Sequence, residues 1–195
     1  MPLYIDIHIL QTVPPSNLNR DDTGNPKTAI YGGVRRARVS SQAWKKATRS
    51  TYKEHLDQSD LGVRTKRAVE LLCERMHRMD ANLTADEARV KAAAVFAALG
   101  IKLEGVKSKT AKKAEAAGDT REDFDTSQYL IFWSNRQLDR LARLALSSDK
   151  PTKKEAAEAA DLEHGIDVAL FGRMVADDAD FNVDASVQVA HALST

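Results

Sequence analysis

The spacing of apolar residues changes along this chain, and that change limits the folds it can adopt. Tyr4-Ile5-Asp6-Ile7-His8-Ile9-Leu10 alternates, with Ile5, Ile7 and Ile9 on one face, so it predicts a sheet strand. From 57 to 165 the spacing is mainly helical. Val69, Leu72, Cys73 and Met76 follow an i, i+3, i+4, i+7 rule, and Thr84-Ala85-Asp86-Glu87 is a capping box ahead of Val95, Phe96 and Leu99. Leu138, Leu141, Leu144 and Ala145 mark another helix, and an acidic one is expected around Lys153 to Leu162. Inside this block, Ile101 to Val106 and Tyr129 to Trp133 predict a strand pair joined by a charged, Ala- and Lys-rich loop from Lys107 to Asp125. Asp167 to Phe171 reads as a buried strand ended by Gly172, followed by a loop and an Asp184-capped helix from Ala185 to Leu193. Strands at both ends of a helical middle point to an α+β chain.

The 195 residues fit one domain or somewhat more. A single cysteine, Cys73, excludes a disulfide framework and a four-cysteine zinc site, so the fold must rest on its apolar core. No stretch approaches the roughly 18 apolar residues of a membrane span. Met1 to Leu10 lacks a basic segment followed by an apolar one, so a cytoplasmic protein without a membrane partner is expected.

Net charge is +1, which taken alone argues against a polyanionic partner. The distribution argues the opposite. Residues 23 to 53 hold eight basic residues (Lys27, Arg35, Arg36, Arg38, Lys45, Lys46, Arg49, Lys53) and no acid, whereas 161 to 187 hold seven acids against Arg173 alone. Ala29-Ile30-Tyr31 leads into Gly32-Gly33, Val34 to Val39 reads as a basic strand, and Ser40-Ser41-Gln42 opens a helix to about His55 with a serine N-cap. At about 100° per residue, Gln42, Lys45, Lys46, Arg49 and Lys53 share roughly a 100° wedge, with Trp44, Ala47, Thr48 and Thr51 opposite, able to dock on a sheet. A cationic face beside a helix N-terminus suits phosphate, because solvated helix faces ordinarily mix signs. Arg35, Arg36 and Arg38 are either strand-edge charges or an extension of that surface.

Catalysis has no foothold. Histidines 8, 55, 77, 164 and 191 stand singly, and neither a phosphate-binding Gly-Lys loop nor a dinucleotide fingerprint occurs. Asp21-Asp22 reads as a turn with solvated acids rather than a metal site, and no cofactor is expected. Met174, after Gly172-Arg173, has two readings. It is a core gap-filler, or an exposed wedge against a base while Arg173 holds a phosphate.

Several ordered motifs carry a family resemblance. Asp6 to Leu10, Ser16 to Asp22, Ala29 to Gly33, Arg35 to Gln42, Gly165 to Met174 and Val187 to Ala192 are similar to the backbone subunit of the type I-E CRISPR surveillance complex, Cascade. The resemblance spans the chain and is loosest in the helical middle. It implies a hand-shaped subunit: an RRM-like (ferredoxin-like) palm from 1–56 and 166–195, incomplete here, and a helical fingers insertion from 57–165. Family members are longer, so the chain resembles an N-terminal half with the thumb beyond Thr195.

By the same resemblance, copies polymerise along one crRNA, which then pairs with a target DNA strand in an R-loop for antiviral defence. Further partners would be the large subunit, the small subunits, the crRNA-processing endonuclease subunit and the 5′-handle-binding subunit. Carried over by position, Arg20, Lys27, Ser40, Gln42, Lys45, Lys46 and Arg49 would hold the crRNA backbone, and Met174 would lean on bases. Lys46 stands where the family has an arginine, and an ammonium cannot replace a bidentate fork. RRM-type sheets read bases through aromatics. Tyr4 and Tyr31 are the only aromatics in the first forty residues, which favours backbone gripping without base readout. The resemblance therefore implies a non-enzymatic, RNA-binding part of a ribonucleoprotein. Competing classes are a type III-like subunit cutting target RNA with Asp21 or Asp22 and a metal, and a general single-strand RNA-binding module.

Overall fold

The computed structural model describes residues 3–105, 124–174 and 182–195. In chain order it contains β1 (Thr28–Tyr31), β2 (Val34–Val39), α1 (Ser41–His55), β3 (Gly62–Thr65), α2 (Ala68–Met79), α3 (Ala85–Ala98), β4 (Leu103–Glu104) and β5 (Thr126–Ser127). There follow β6 (Ile131–Ser134), α4 (Asn135–Ser147), α5 (Lys153–Ala160), α6 (Ile166–Phe171) and β7 (Ala192–Leu193). This mixed α+β chain divides into two compact units, Met1–Thr48 with Val189–Thr195, and Arg49–Gln188, the division falling within α1.

The first unit is built on a hairpin. β1 and β2 pair antiparallel from Thr28 opposite Ala37 to Tyr31 opposite Val34, and β7 adds to the other edge of β2. Gly32 and Gly33 connect the strands at φ 62° and 78°. Two successive positive φ values match the twist of a two-residue hairpin turn, and glycine adopts them without a Cβ penalty. The strand expected at Tyr4–Leu10 is absent. Its backbone pairs with no described strand, and Ile5, Ile7 and Ile9 are exposed. Alternation prepares a segment for a sheet, but a strand exists only where a neighbour completes its hydrogen bonds.

The second unit carries the main core. β3 pairs antiparallel with β6, Gly62 opposite Ser134 and Thr65 opposite Ile131. A Cβ on Gly62 would lie 2.4 Å from the Trp133 carbonyl oxygen, so only glycine permits this approach. Leu72, Met76, Val95, Phe96, Trp133, Leu138 and Leu141 are fully enclosed, and Phe96 meets Trp133 edge to face at 5.8 Å. Such an aromatic pair adds about 0.5–1.5 kcal/mol beyond its buried area. The expected capping box at Thr84 and Glu87 is present, and equivalent boxes start α4 (Ser134 and Gln137) and α5 (Thr152 and Glu155).

Three expectations are corrected in this unit. Of the expected pair Ile101–Val106 and Tyr129–Trp133, the described residues 101–105 and 129–133 do not pair with each other. Instead β4 pairs with β5 and β6 pairs with β3, a strand in a stretch read as helical. The loop predicted from Lys107 to Asp125 lies outside the described residues as far as 123. Asp167–Phe171 is helical: Gly165 precedes α6 in extended backbone and Gly172, at φ 75°, ends it. A short apolar run bounded by glycines fits either period. No helix covers Ala185–Leu193. The Ser186 and Val187 amides donate to the Ala169 and Leu170 carbonyls, and Ala192–Leu193 pairs with β2. Those long-range bonds outweigh what an Asp184 cap would supply.

A buried polar network closes the second unit. The Gln137 amide nitrogen donates to the Ala160 carbonyl and to His164 Nδ1 at 2.8 Å, while Ser134 Oγ donates to the Glu163 carbonyl at 2.6 Å. An amide NH2 can only donate, so His164 Nδ1 accepts and the ring is neutral. Burial, then the Arg173 charge, lowers the His164 pKa below its ordinary 6.5. For a base with a depressed folded pKa, the unfolded chain binds the proton first as pH falls. Stability is therefore complete above pH 6.5 and declines below it, toward the lower folded value. The thermal midpoint is expected to fall between pH 7.5 and 5.5, and a His164→Gln variant should show a smaller fall over the same window. Equal slopes for both proteins would exclude this linkage.

Candidate nucleic-acid interface

Most of the sequence-predicted phosphate contacts lie in the first unit, where one asparagine organises them. The Asn19 carbonyl accepts from the Lys27 amide at 2.8 Å, and Asn19 Oδ1 accepts from the Ser40 amide at 2.9 Å. The loop bearing Arg20 and Lys27 is thus closed on itself and tied to the start of α1. Ser40, itself buried, turns its hydroxyl to the Ala43 amide as an N-cap. Arg20, Lys27, Ser40, Gln42, Lys45 and Lys46 therefore belong to one hydrogen-bonded local structure. Arg20, Gln42 and Lys46 are exposed, and Lys27 and Lys45 half-buried. Asn19 carried no charge or spacing signal. Its only cue was a place in a Pro-, Gly- and Asp-rich loop before a basic strand.

One acid of this loop, Asp21, is held by its own turn. Asp21 Oδ1 accepts from the Thr23 amide and hydroxyl and from the Asn25 amide, at 2.7–2.9 Å. The Thr23 hydroxyl, then these backbone donors, hold its pKa below the usual carboxylate value. Among the described residues no group of three His, Cys, Asp or Glu side chains could hold a metal ion. Arg36 Nε donates to the Tyr31 carbonyl and its Nη1 to the Ser194 carbonyl at 2.8 Å, so this arginine clasps strand ends. Arg35 is exposed. The face of α1 opposite its cations, which is able to dock on a sheet, is not buried: no residue of α1 is buried, and Trp44 is 41% exposed.

Arg49 and Met174 belong to the second unit. The Arg49 guanidinium lies 3.3 Å from Asp167 Oδ2 and over the rings of Phe132 and Phe171 at 4.9 and 5.0 Å. Met174 is 85% exposed, which removes the gap-filler reading. Its neighbour Arg173 is buried, donates to the Phe132 carbonyl at 3.3 Å and exchanges two backbone bonds with Val183. That arginine is a backbone anchor and not a phosphate contact. Loss of water around the buried cation lowers its pKa.

Small antiparallel sheets, a cationic helix and a capped helical layer define a mixed α+β protein. The chain belongs to the CT1975-like protein family, whose model matches residues 5–195. It is similar in structure to a chain of a CRISPR RNA-guided surveillance complex, pre-nicking, at 32% identity and a TM-score of 0.72; the match covers 92% of this chain and 49% of that one. A chain of a second CRISPR RNA-guided surveillance complex matches at 34% identity and a TM-score of 0.66, covering 94% of this chain and 56% of the other. The protein thus spans about half the length of the solved chains it matches. No curated protein matches it. Among the described residues no helix is long and apolar enough to cross a membrane.

Proposed function

We propose that this chain is the RNA-gripping part of a Cascade backbone subunit of the type I-E kind, and that it has no catalytic activity of its own. One observation carries the reading: the Asn19-tied loop and the first turns of α1 gather cations without an acid on the helix before Glu54. Arg20, Lys27, Lys45 and Lys46 bind guide phosphates, Gln42 and the capped N-terminus at Ser40 add neutral donors, and Met174 leans on a base. The likeness to chains of RNA-guided surveillance complexes supports crRNA as the polyanion and other Cascade subunits, including further copies of this one, as neighbours. Target DNA then pairs with the guide, since a grip on phosphates leaves base edges open.

The test is binding of the protein to single-stranded RNAs of equal length and unrelated sequence. Affinities should agree between sequences and fall with salt. At about 0.7 per phosphate contact, four cations give a log–log slope of about −3. RNA incubated with magnesium or manganese should stay intact. Sequence-selective binding, or cleavage abolished by Asp22→Ala, would overturn the reading, the latter in favour of a type III-like nuclease.

A further inference from the structure

We propose that Arg49 is a positioning residue which acts through Asp167, and that its contribution to RNA binding is not a phosphate contact. The proposal rests on the RNA-binding reading above. Arg49 lies on the same helical wedge as Lys45 and Lys46, yet its surroundings differ. Its side chain is 28% exposed, its Nε faces a carboxylate whose side chain is 10% exposed, and two aromatic rings lie against the guanidinium. Arg64 approaches the same Phe132 ring at 5.6 Å, so cations and rings alternate through the cluster. A guanidinium stacked on rings and paired with a carboxylate has its charge largely answered before any ligand arrives.

The partners indicate what is being held. Phe132 is in β6, and Asp167 and Phe171 are in α6, the helix that ends at Gly172 and leads through buried Arg173 to exposed Met174. Gly172 admits no side chain, since a Cβ there would lie 2.8 Å from the Val183 carbonyl oxygen. The Arg49 cluster therefore fixes the second half of α1 to the segment that presents Met174. Asp167 Oδ1 is buried with no hydrogen-bond partner among the described residues, and Oδ2 lies 3.3 Å from Arg49 Nε, which links the carboxylate to a cation.

The two roles give opposite signs for Asp167. If Arg49 were a phosphate ligand, Asp167→Asn would release it and remove a repelling charge, and RNA binding would tighten. If Arg49 positions, Asp167→Asn breaks the same link as Arg49→Ala, and binding weakens. The experiment measures single-strand RNA affinity and its salt slope for the wild type, Arg49→Ala, Arg49→Lys, Asp167→Asn and the Arg49→Ala/Asp167→Asn pair. Temperature is set where circular dichroism shows every variant folded.

Each single variant should lose about tenfold in affinity, as coupled neighbours do. The double variant should lose no more than either single one, and every slope should equal that of the wild type. Arg49→Lys should fail to rescue, because an ammonium keeps the charge and loses the planar stack. Tighter binding by Asp167→Asn, or a slope flattened by about 0.7 in Arg49→Ala with rescue by lysine, would overturn the proposal. So would unchanged affinity in all variants, which would make the cluster a fold element only. Absence of RNA binding by the wild type is a separate result, and it would remove the functional reading itself.

Discussion

Trp133→Ala is expected to destabilise the Arg49–Gln188 unit by about 3–5 kcal/mol, the range for deleting a buried aromatic. Three features place it at the upper end. The side chain is fully enclosed, its ring packs edge to face on Phe96, and its carbonyl is the close neighbour of Gly62 across the β3–β6 pair. Deletion leaves a cavity beneath that pair, and the Gly62 contact leaves little room for the strands to close on it. Trp133→Phe should cost less, because the indole Nε1 is buried without a hydrogen-bond partner among the described residues and phenylalanine removes that group. Urea unfolding monitored by circular dichroism measures both. An alanine variant as stable as the phenylalanine one would mean that the enclosure of Trp133 contributes far less than its burial implies.

The second large effect concerns binding. A variant carrying Lys27→Ala, Lys45→Ala and Lys46→Ala is expected to lose RNA affinity about a hundredfold at moderate salt, taking about 1 kcal/mol for each exposed contact. Its salt slope should fall by about two, three contacts at about 0.7 each. The loss should be uniform across RNA sequences, because phosphates carry no sequence information. The fold should survive, since none of the three side chains is buried. A loss confined to one RNA, or a slope unchanged despite weaker binding, would show that these lysines do not act on phosphate.

What could be read in the sequence follows from how locally each feature is determined. The strand at Val34–Val39 was legible in the residues that follow Gly32-Gly33, whereas its pairing with Thr28–Tyr31 was not, and α2, α3 and α4 were legible because apolar spacing and capping residues lie within a few positions of one another. Asp167–Phe171 was not, because five apolar-rich residues between glycines suit a strand as well as a helix, and hydrogen bonds from Ser186 and Val187 select the second. Tyr4–Leu10 has the right alternation, but pairing is not a property of the segment itself. The candidate interface divides similarly. The cationic wedge of α1 is visible from spacing alone. That Arg49 faces a carboxylate 118 positions away, and that Arg173 is buried beneath Phe132, depends on tertiary packing that charge counting cannot see.

The two tryptophans differ in environment, and each unit contains one of them. Trp44 is part-exposed on α1, whereas Trp133 is sealed against Phe96. The protein thus carries its own pair of optical probes: a red-shifted emitter open to aqueous quenchers such as iodide, and a blue-shifted one shielded from them. Events on the basic helix and events in the core can be followed in the same cuvette without attaching a dye.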